Sequence, residues 1–317
     1  MTSSEISATT PPSSVAPASS AVVSRATRAI LLVNLIAQTA IVVTGGLVRL
    51  TGSGLGCPTW PECVPGSYTP VPYQAEEWHA LIEFGNRVLT FALVIITIAT
   101  FVAVLRHRPR RRALLLLAAV PFLGTMAQAV LGGITVITGL NPWTVASHFL
   151  VSMGLIAGAT VLYVRGGEPG DGRVTSLVRP PIRPLAWALV AVAGAVVVLG
   201  TVVTGSGPHS GDAETPNRIP IDPRTIAWLH ADVVLLFLGL TVGLLIALVA
   251  SGAPRAARVS ASWVLAISVA QGVLGYTQYF TGLPWAVVLV HQLGACLVWI
   301  AVIRLLLATR DRAAALT

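Results

Sequence analysis

Residues 128–148 read QAVLGGITVITGLNPWTVASH, and residues 271–291 read QGVLGYTQYFTGLPWAVVLVH. Both runs go from Gln to His over the same length, through a shared VLG, a TGL turn and a Pro-Trp step. Self-similarity of this kind marks a duplicated supersecondary unit. Each copy ends in a histidine, His148 and His291, set just inside an apolar stretch. Ionisable side chains are costly within a bilayer and tend to be functional there. The duplication therefore points to two equivalent sites.

Working outward, the chain is 317 residues long, 55% hydrophobic and 10% charged, with a mean hydropathy of +0.80. That composition excludes an ordinary soluble domain. Eight continuous apolar stretches of bilayer length are expected near 28–50, 86–105, 113–136, 144–164, 185–204, 226–249, 259–279 and 286–307. They are continuous rather than alternating, so they read as helices. The expected fold is an all-α membrane protein with eight transmembrane helices, arranged as two four-helix bundles.

Charge sets the expected orientation. All 20 basic residues are arginine, and sixteen of them fall before or at the start of the first span, after or near the end of the last, or in the loops following spans two, four and six. Arg106, Arg108, Arg110, Arg111 and Arg112 form the densest cluster. The positive-inside rule then places both termini in the cytoplasm. The net charge of +8 is a topology signal and not a nucleic-acid footprint. Residues 1–24, rich in Ser, Thr, Ala and Pro, read as a disordered cytoplasmic tail rather than a signal peptide. The expected organisation continues with an N-terminal half at 25–164, a cytoplasmic linker at 165–184, a C-terminal half at 185–308 and a short tail at 309–317. An even number of spans per half gives parallel repeats, related by an axis along the membrane normal.

The repeat extends further. Val43-Thr44-Gly45-Gly46 matches Val203-Thr204-Gly205-Ser206, and the position matching His230 is Asn86. Each half thus offers two positions on even-numbered helices: Asn86 with His148, and His230 with His291. A bundle commonly grips a flat cofactor this way, and haem iron suits a pair of imidazoles. Histidines hydrogen-bonded across a dry interface are the plainer alternative, and zinc lacks further ligands at suitable spacing. The halves diverge at Glu83, whose counterpart is Ala227. A carboxylate there suits proton transfer; pairing with Arg87 at i, i+4 is its structural role. His79 is expected in an exposed loop, with substitute ligand or proton relay as alternatives. Cys57 and Cys63 read as a disulfide holding a lid over the first site, with reversible dithiol chemistry as the other option.

The runs GGLVRLTGSGLGCPTWPEC (45–63) and IEFGNR (82–87), with the two Q-to-H segments, resemble the haem A synthase family over roughly 28–308. The resemblance implies an enzyme of the bacterial cell membrane that oxidises the C8 methyl of haem O to the formyl of haem A by successive hydroxylations. It implies His230 and His291 as axial ligands of haem b, His148 on the substrate haem, Glu83 in catalysis, and Cys57 with Cys63 as the first-loop pair. Its implied partners are a farnesyl transferase supplying haem O and a membrane electron donor, with a homo-oligomer among the possible assemblies. Asn86 departs from the family, where histidine is common, so the substrate iron is expected to keep an open or weakly filled face. A two-haem cytochrome drawing electrons from quinol, and a transporter built on parallel repeats, are the competing readings.

Overall fold

Continuous apolar sequence leaves the backbone only itself to bond with in lipid, and the helix is the solution. The computed structural model describes residues 22–72, 77–212 and 216–313. Among these the helices are α1 (Arg25–Leu50), α2 (Glu77–Arg106), α3 (Arg112–Ile137), α4 (Pro142–Gly166), α5 (Ile182–Ser206), α6 (Pro223–Ala250), α7 (Arg255–Phe280) and α8 (Trp285–Ala308). All eight are long and apolar enough to cross a membrane. The protein is a multi-pass membrane protein.

Local chemistry starts and stops these helices. Ser24 caps α1 by accepting from the Thr27 amide, and Asn141 caps α4 ahead of Pro142. Asp222 does the same for α6, and its bonds from the Thr225 hydroxyl and amide hold its carboxyl below the usual range. The two TGL turns adopt one conformation. Gly139 and Leu140, like Gly282 and Leu283, have positive φ. The Leu140 amide donates to the Thr135 carbonyl at 2.8 Å, and that of Leu283 to Gln278 at 2.7 Å. Matched sequence here produces matched backbone.

Helices α1 to α4 pack as one group of four and α5 to α8 as another, with α1 and α4 leaning on α8. That seam is specific. Gln292 Nε2 donates to the Val42 carbonyl at 2.9 Å, where Gly46 leaves room for the amide. Trp299 Nε1 donates to the Met153 carbonyl at 2.9 Å. Cys296 is buried beside Met153, in an apolar cluster shared with Leu35, Val42 and Ile156. Large apolar side chains such as Phe91, Ile95, Leu116 and Leu123 are exposed around the outside, as lipid contact requires.

One expectation needs correction. Helix α2 begins at Glu77, well before the predicted 86, because the first loop bonds His79 through Ser53 and Glu83 through the Cys57 amide. The connection between α4 and α5 also meets the segment after α8. There Val174–Ser176 (β1) pairs antiparallel with Arg310–Arg312 (β2). Glu168 meets Arg310 at 3.0 Å and Arg312 at 3.2 Å, while Asp171 meets Arg165 at 2.7 Å and Arg111 at 3.0 Å. Arg111 also donates to the carbonyls of Arg165, Glu168 and Gly170. Part of the arginine excess is thus spent on tying the second loop, the linker and the C-terminal strand together. Residues 1–21 and 314–317, and with them most of the tail predictions, lie outside the described residues.

Candidate functional site

The disulfide end of the first half is built around Glu83. Its Oε2 accepts from the Cys57 amide at 2.7 Å, and its Oε1 accepts from Arg87 at 2.7 Å. Arg87 continues outward and donates to the carbonyls of Cys57, Thr59 and Glu62 at 2.9 to 3.1 Å. Cys57 and Cys63 are joined, with both side chains fully buried. One guanidinium therefore holds the whole CPTWPEC loop, and Glu83 keeps that guanidinium in place. Arg87 was assigned only an i, i+4 pairing by sequence, because the carbonyls it binds lie 25 to 30 residues away.

The loop also reaches across the bundle. Trp60, at its tip, lies against Gly133 of α3, where a methyl group would collide with the indole. The adjacent residue, Gly132, faces the His148 ring, with 3.4 Å between a would-be Cβ and Cε1. The lid thus ends next to the histidine of the first half. His79 corrects the loop expectation: it lies within α2, stacked on Trp78, and shares a 2.8 Å hydrogen bond between Nδ1 and Ser53 Oγ. That bond ties the start of α2 to the base of the loop.

His148 and Asn86 are each positioned by a neighbour. Gln128 Nε2 donates to the His148 carbonyl at 2.8 Å and to Ser152 Oγ, fastening α3 to α4. The Thr44 hydroxyl donates to Asn86 Oδ1 at 2.7 Å, so one face of that amide is taken from α1.

In the second half His230 sits over Gly200, and His291 over Gly275, with 3.1 and 3.5 Å between Cε1 and a would-be Cβ. Gly275 stands to His291 as Gly132 stands to His148. His148, His230 and His291 share one peculiarity: each ring is half-buried, and each Nδ1 is sealed from solvent without a hydrogen-bond partner. The accessible nitrogen of each is Nε2. Three rings held by glycine-lined slots, with Nε2 outward, form a donor set suited to haem iron. The fit is good at His230 and His291, where both ligands are imidazoles, and one-sided at His148, whose counterpart position is an amide.

The outer connections of the halves interlock. Arg49 at the end of α1 donates to the carbonyls of Thr204 and His209, both at 2.8 Å. The Gly54 amide donates to Gly211, and His209 Nε2 bonds the Leu283 carbonyl at 2.9 Å. This chain of bonds runs from α1 to the turn before α8. No periodicity announces it, since its partners are up to 160 residues apart.

Comparison with known proteins agrees with this architecture. Residues 28–303 match the family described as "Cytochrome oxidase assembly protein" (COX15-CtaA). A protein of Symbiobacterium thermophilum named "Heme A synthase" is 30% identical over 195 residues, covering 58% of this chain and 60% of the relative. Proteins of the same name are similar over shorter stretches. One from Lysinibacillus sphaericus is 36% identical over 38% of each chain, and one from Geobacillus kaustophilus is 32% identical over 35% of this chain and 34% of its own. The chain thus spans between about a third and three fifths of the length of these relatives.

Proposed function

We infer the function from one premise: the chain belongs to the cytochrome oxidase assembly protein family, which includes the haem A synthases. On that footing the protein acts in haem A biosynthesis as a membrane oxidoreductase. Its substrate is haem O, and the C8 methyl is oxidised stepwise to the formyl group. The observation that carries this reading is the set of three half-buried histidines with orphaned Nδ1 atoms, each over a glycine, in a chain of this family.

His230 and His291 would hold haem b through Nε2, and His148 would hold the iron of the substrate haem. Bound haem supplies one-electron redox chemistry. The chain's own residues do the rest. The disulfide loop covers the first half and limits water there. Gln128 fixes the backbone of His148, and Thr44 fixes Asn86. Glu83 keeps lone pairs beyond the bonds from Cys57 and Arg87, and we assign it the handling of protons at the reacting edge. Asn86, whose amide is a poor ligand for iron, would leave His148 as the histidine of the first half able to hold the substrate haem. The seam at Gln292 and Trp299 brings the helices of His291 and His148 together, and gives electrons a packed route between halves.

The two groups of four helices are parallel repeats, residues 25–164 and 185–308, joined by the 165–184 connection, with both termini in the cytoplasm of a bacterial cell. The arginine distribution supports that orientation, and the identical TGL turns support the duplication. A farnesyl transferase delivers haem O, and a membrane donor exchanges electrons with haem b.

The test is incubation of the purified protein with haem O, followed by chromatography of the extracted pigment. Wild type yields a formyl-bearing haem. Glu83→Gln retains bound haem while its yield falls by about 10²- to 10⁴-fold, the usual scale for a proton-transfer group. A protein that stays colourless when offered haem overturns the reading; one that binds haem but never forms a formyl group is instead an electron carrier.

A further inference from the structure

Below the His148 site, on the side away from the disulfide, the first bundle has a polar interior. Asn34 is completely buried, and neither its Nδ2 nor its Oδ1 has a hydrogen-bond partner. One turn further along α1, Gln38 is equally buried, and its Nε2 donates to Thr125 Oγ1 on α3 at 3.3 Å. One turn beyond Thr125 comes Gln128, whose amide holds the His148 carbonyl and whose Oε1 is sealed and unpartnered. The Thr44–Asn86 bond sets the register of α1 against α2, and it places buried Thr97 and Thr100 of α2 near the level of Asn34. The Thr100 hydroxyl is likewise without a partner. Buried Thr160 on α4 completes the level. The column ends towards the termini at an apolar plug of Leu31, Leu114 and Leu162, all fully buried.

The second half, built on the same plan, keeps polar residues opposite Thr97, Thr125 and Gln128, as Thr241, Ser268 and Gln271, but not at the other four positions. The positions matching Asn34, Gln38, Thr100 and Thr160 are Gly194, Val198, Leu244 and Ile303. The helix frame therefore does not require polar groups here. Most of the threonines satisfy themselves on their own helix, as Thr97 does on Val94 and Thr160 on Ile156. Asn34 cannot do so. A carboxamide with two donors and an acceptor sealed in a dry interior carries a desolvation penalty that a leucine of similar size would remove. Buried water is the usual remedy where several polar groups converge.

We propose that the column from Asn34 through Gln38 and Thr125 to Gln128 is an internal water-binding site beneath the first-half histidine. Its use follows from the chemistry and rests on the function proposed above. A methyl becomes a formyl either by taking oxygen from water, with release of protons and electrons, or from dioxygen, with release of water. Either way water or protons must move, and the disulfide lid covers the other side. The water itself does not depend on that function.

The test uses the full-length protein in nanodiscs, labelled with ¹³C-asparagine and transferred into D2O under an infrared beam. Subtracting the spectrum of Asn34→Leu, or of Asn34→Ser should the leucine variant not fold, isolates the Asn34 carboxamide. The band is expected to shift on deuteration well before the backbone amides of the helix cores exchange. In ¹³C-glutamine protein, with Gln38 assigned by Gln38→Leu, exchange at Gln38 is expected to slow in Asn34→Leu and to recover in Asn34→Ser. An Asn34 band that keeps its protons as long as the helix cores do, or equal Gln38 rates in both variants, overturns the proposal. Neither measurement involves haem or turnover, so failure here and failure of the proposed activity are separate results.

Discussion

The two halves share a helix frame and differ in what closes it. The first carries Glu83, Arg87 and a disulfide loop, where the second has Ala227, Ala231 and a cysteine-free connection between α5 and α6. The first offers an amide at Asn86, held by Thr44; the second offers His230, resting over Gly200. The first buries Asn34, Gln38 and Thr100 below its histidine, where the second has Gly194, Val198 and Leu244. A frame of packed helices can thus serve holding or reacting according to a few side chains. The half with paired imidazoles suits a resident redox group. The half with a lid, a carboxylate and one imidazole suits a substrate that must enter, change and leave.

Four substitutions press on that comparison. The largest effect is expected from Arg87→Leu. It removes the single cation that holds Glu83 and three loop carbonyls, leaving a buried carboxylate uncompensated. The cost is about 3 kcal/mol, the lower end for breaking a buried pair because the guanidinium keeps some solvent contact. Thermal unfolding in detergent should show the drop, and tryptophan emission from Trp60 should shift as the loop lifts. An unchanged melting temperature would mean that the lid is held by the disulfide alone.

Next comes Asn86→His, which makes the first half resemble the second. With haem O bound, the added imidazole is expected to convert the iron to a low-spin spectrum and to lower turnover by closing the open face. If spin state and turnover both stay as in wild type, the open face has no role. The smallest effect separates two glycines of the second half. A methyl at Gly200 comes to 3.1 Å from the His230 ring, whereas at Gly275 it meets His291 at an ordinary 3.5 Å. Gly200→Ala should therefore disturb the haem b spectrum, and Gly275→Ala should leave it nearly untouched. Equal spectra for both variants would show that neither slot limits its ring.

Much of this was legible in the chain. The eight spans are found where hydropathy places them, because each helix satisfies its own backbone and is specified by its own residues. The candidate ligands were marked by the repeat, since a histidine conserved between two halves of one chain stands out without any partner being known. The early start of α2 is hidden in the sequence, because His79 and Glu83 read as loop-side polar groups until Ser53 and the Cys57 amide bond them. His79 went astray for the same reason: its helical position depends on Ser53 and Gly56 approaching from another segment.

What the sequence by itself determined is therefore the helices, their number and the repeated histidine positions, all of them properties written within a few turns of one another. Only the tertiary structure decided that Arg87 gathers three loop carbonyls, that Trp60 rests beside the His148 slot, and that Glu168 binds the C-terminal strand. Those contacts join residues far apart in the chain, through hydrogen bonds to backbone groups that every residue carries alike, and such bonds leave no pattern in the order of side chains.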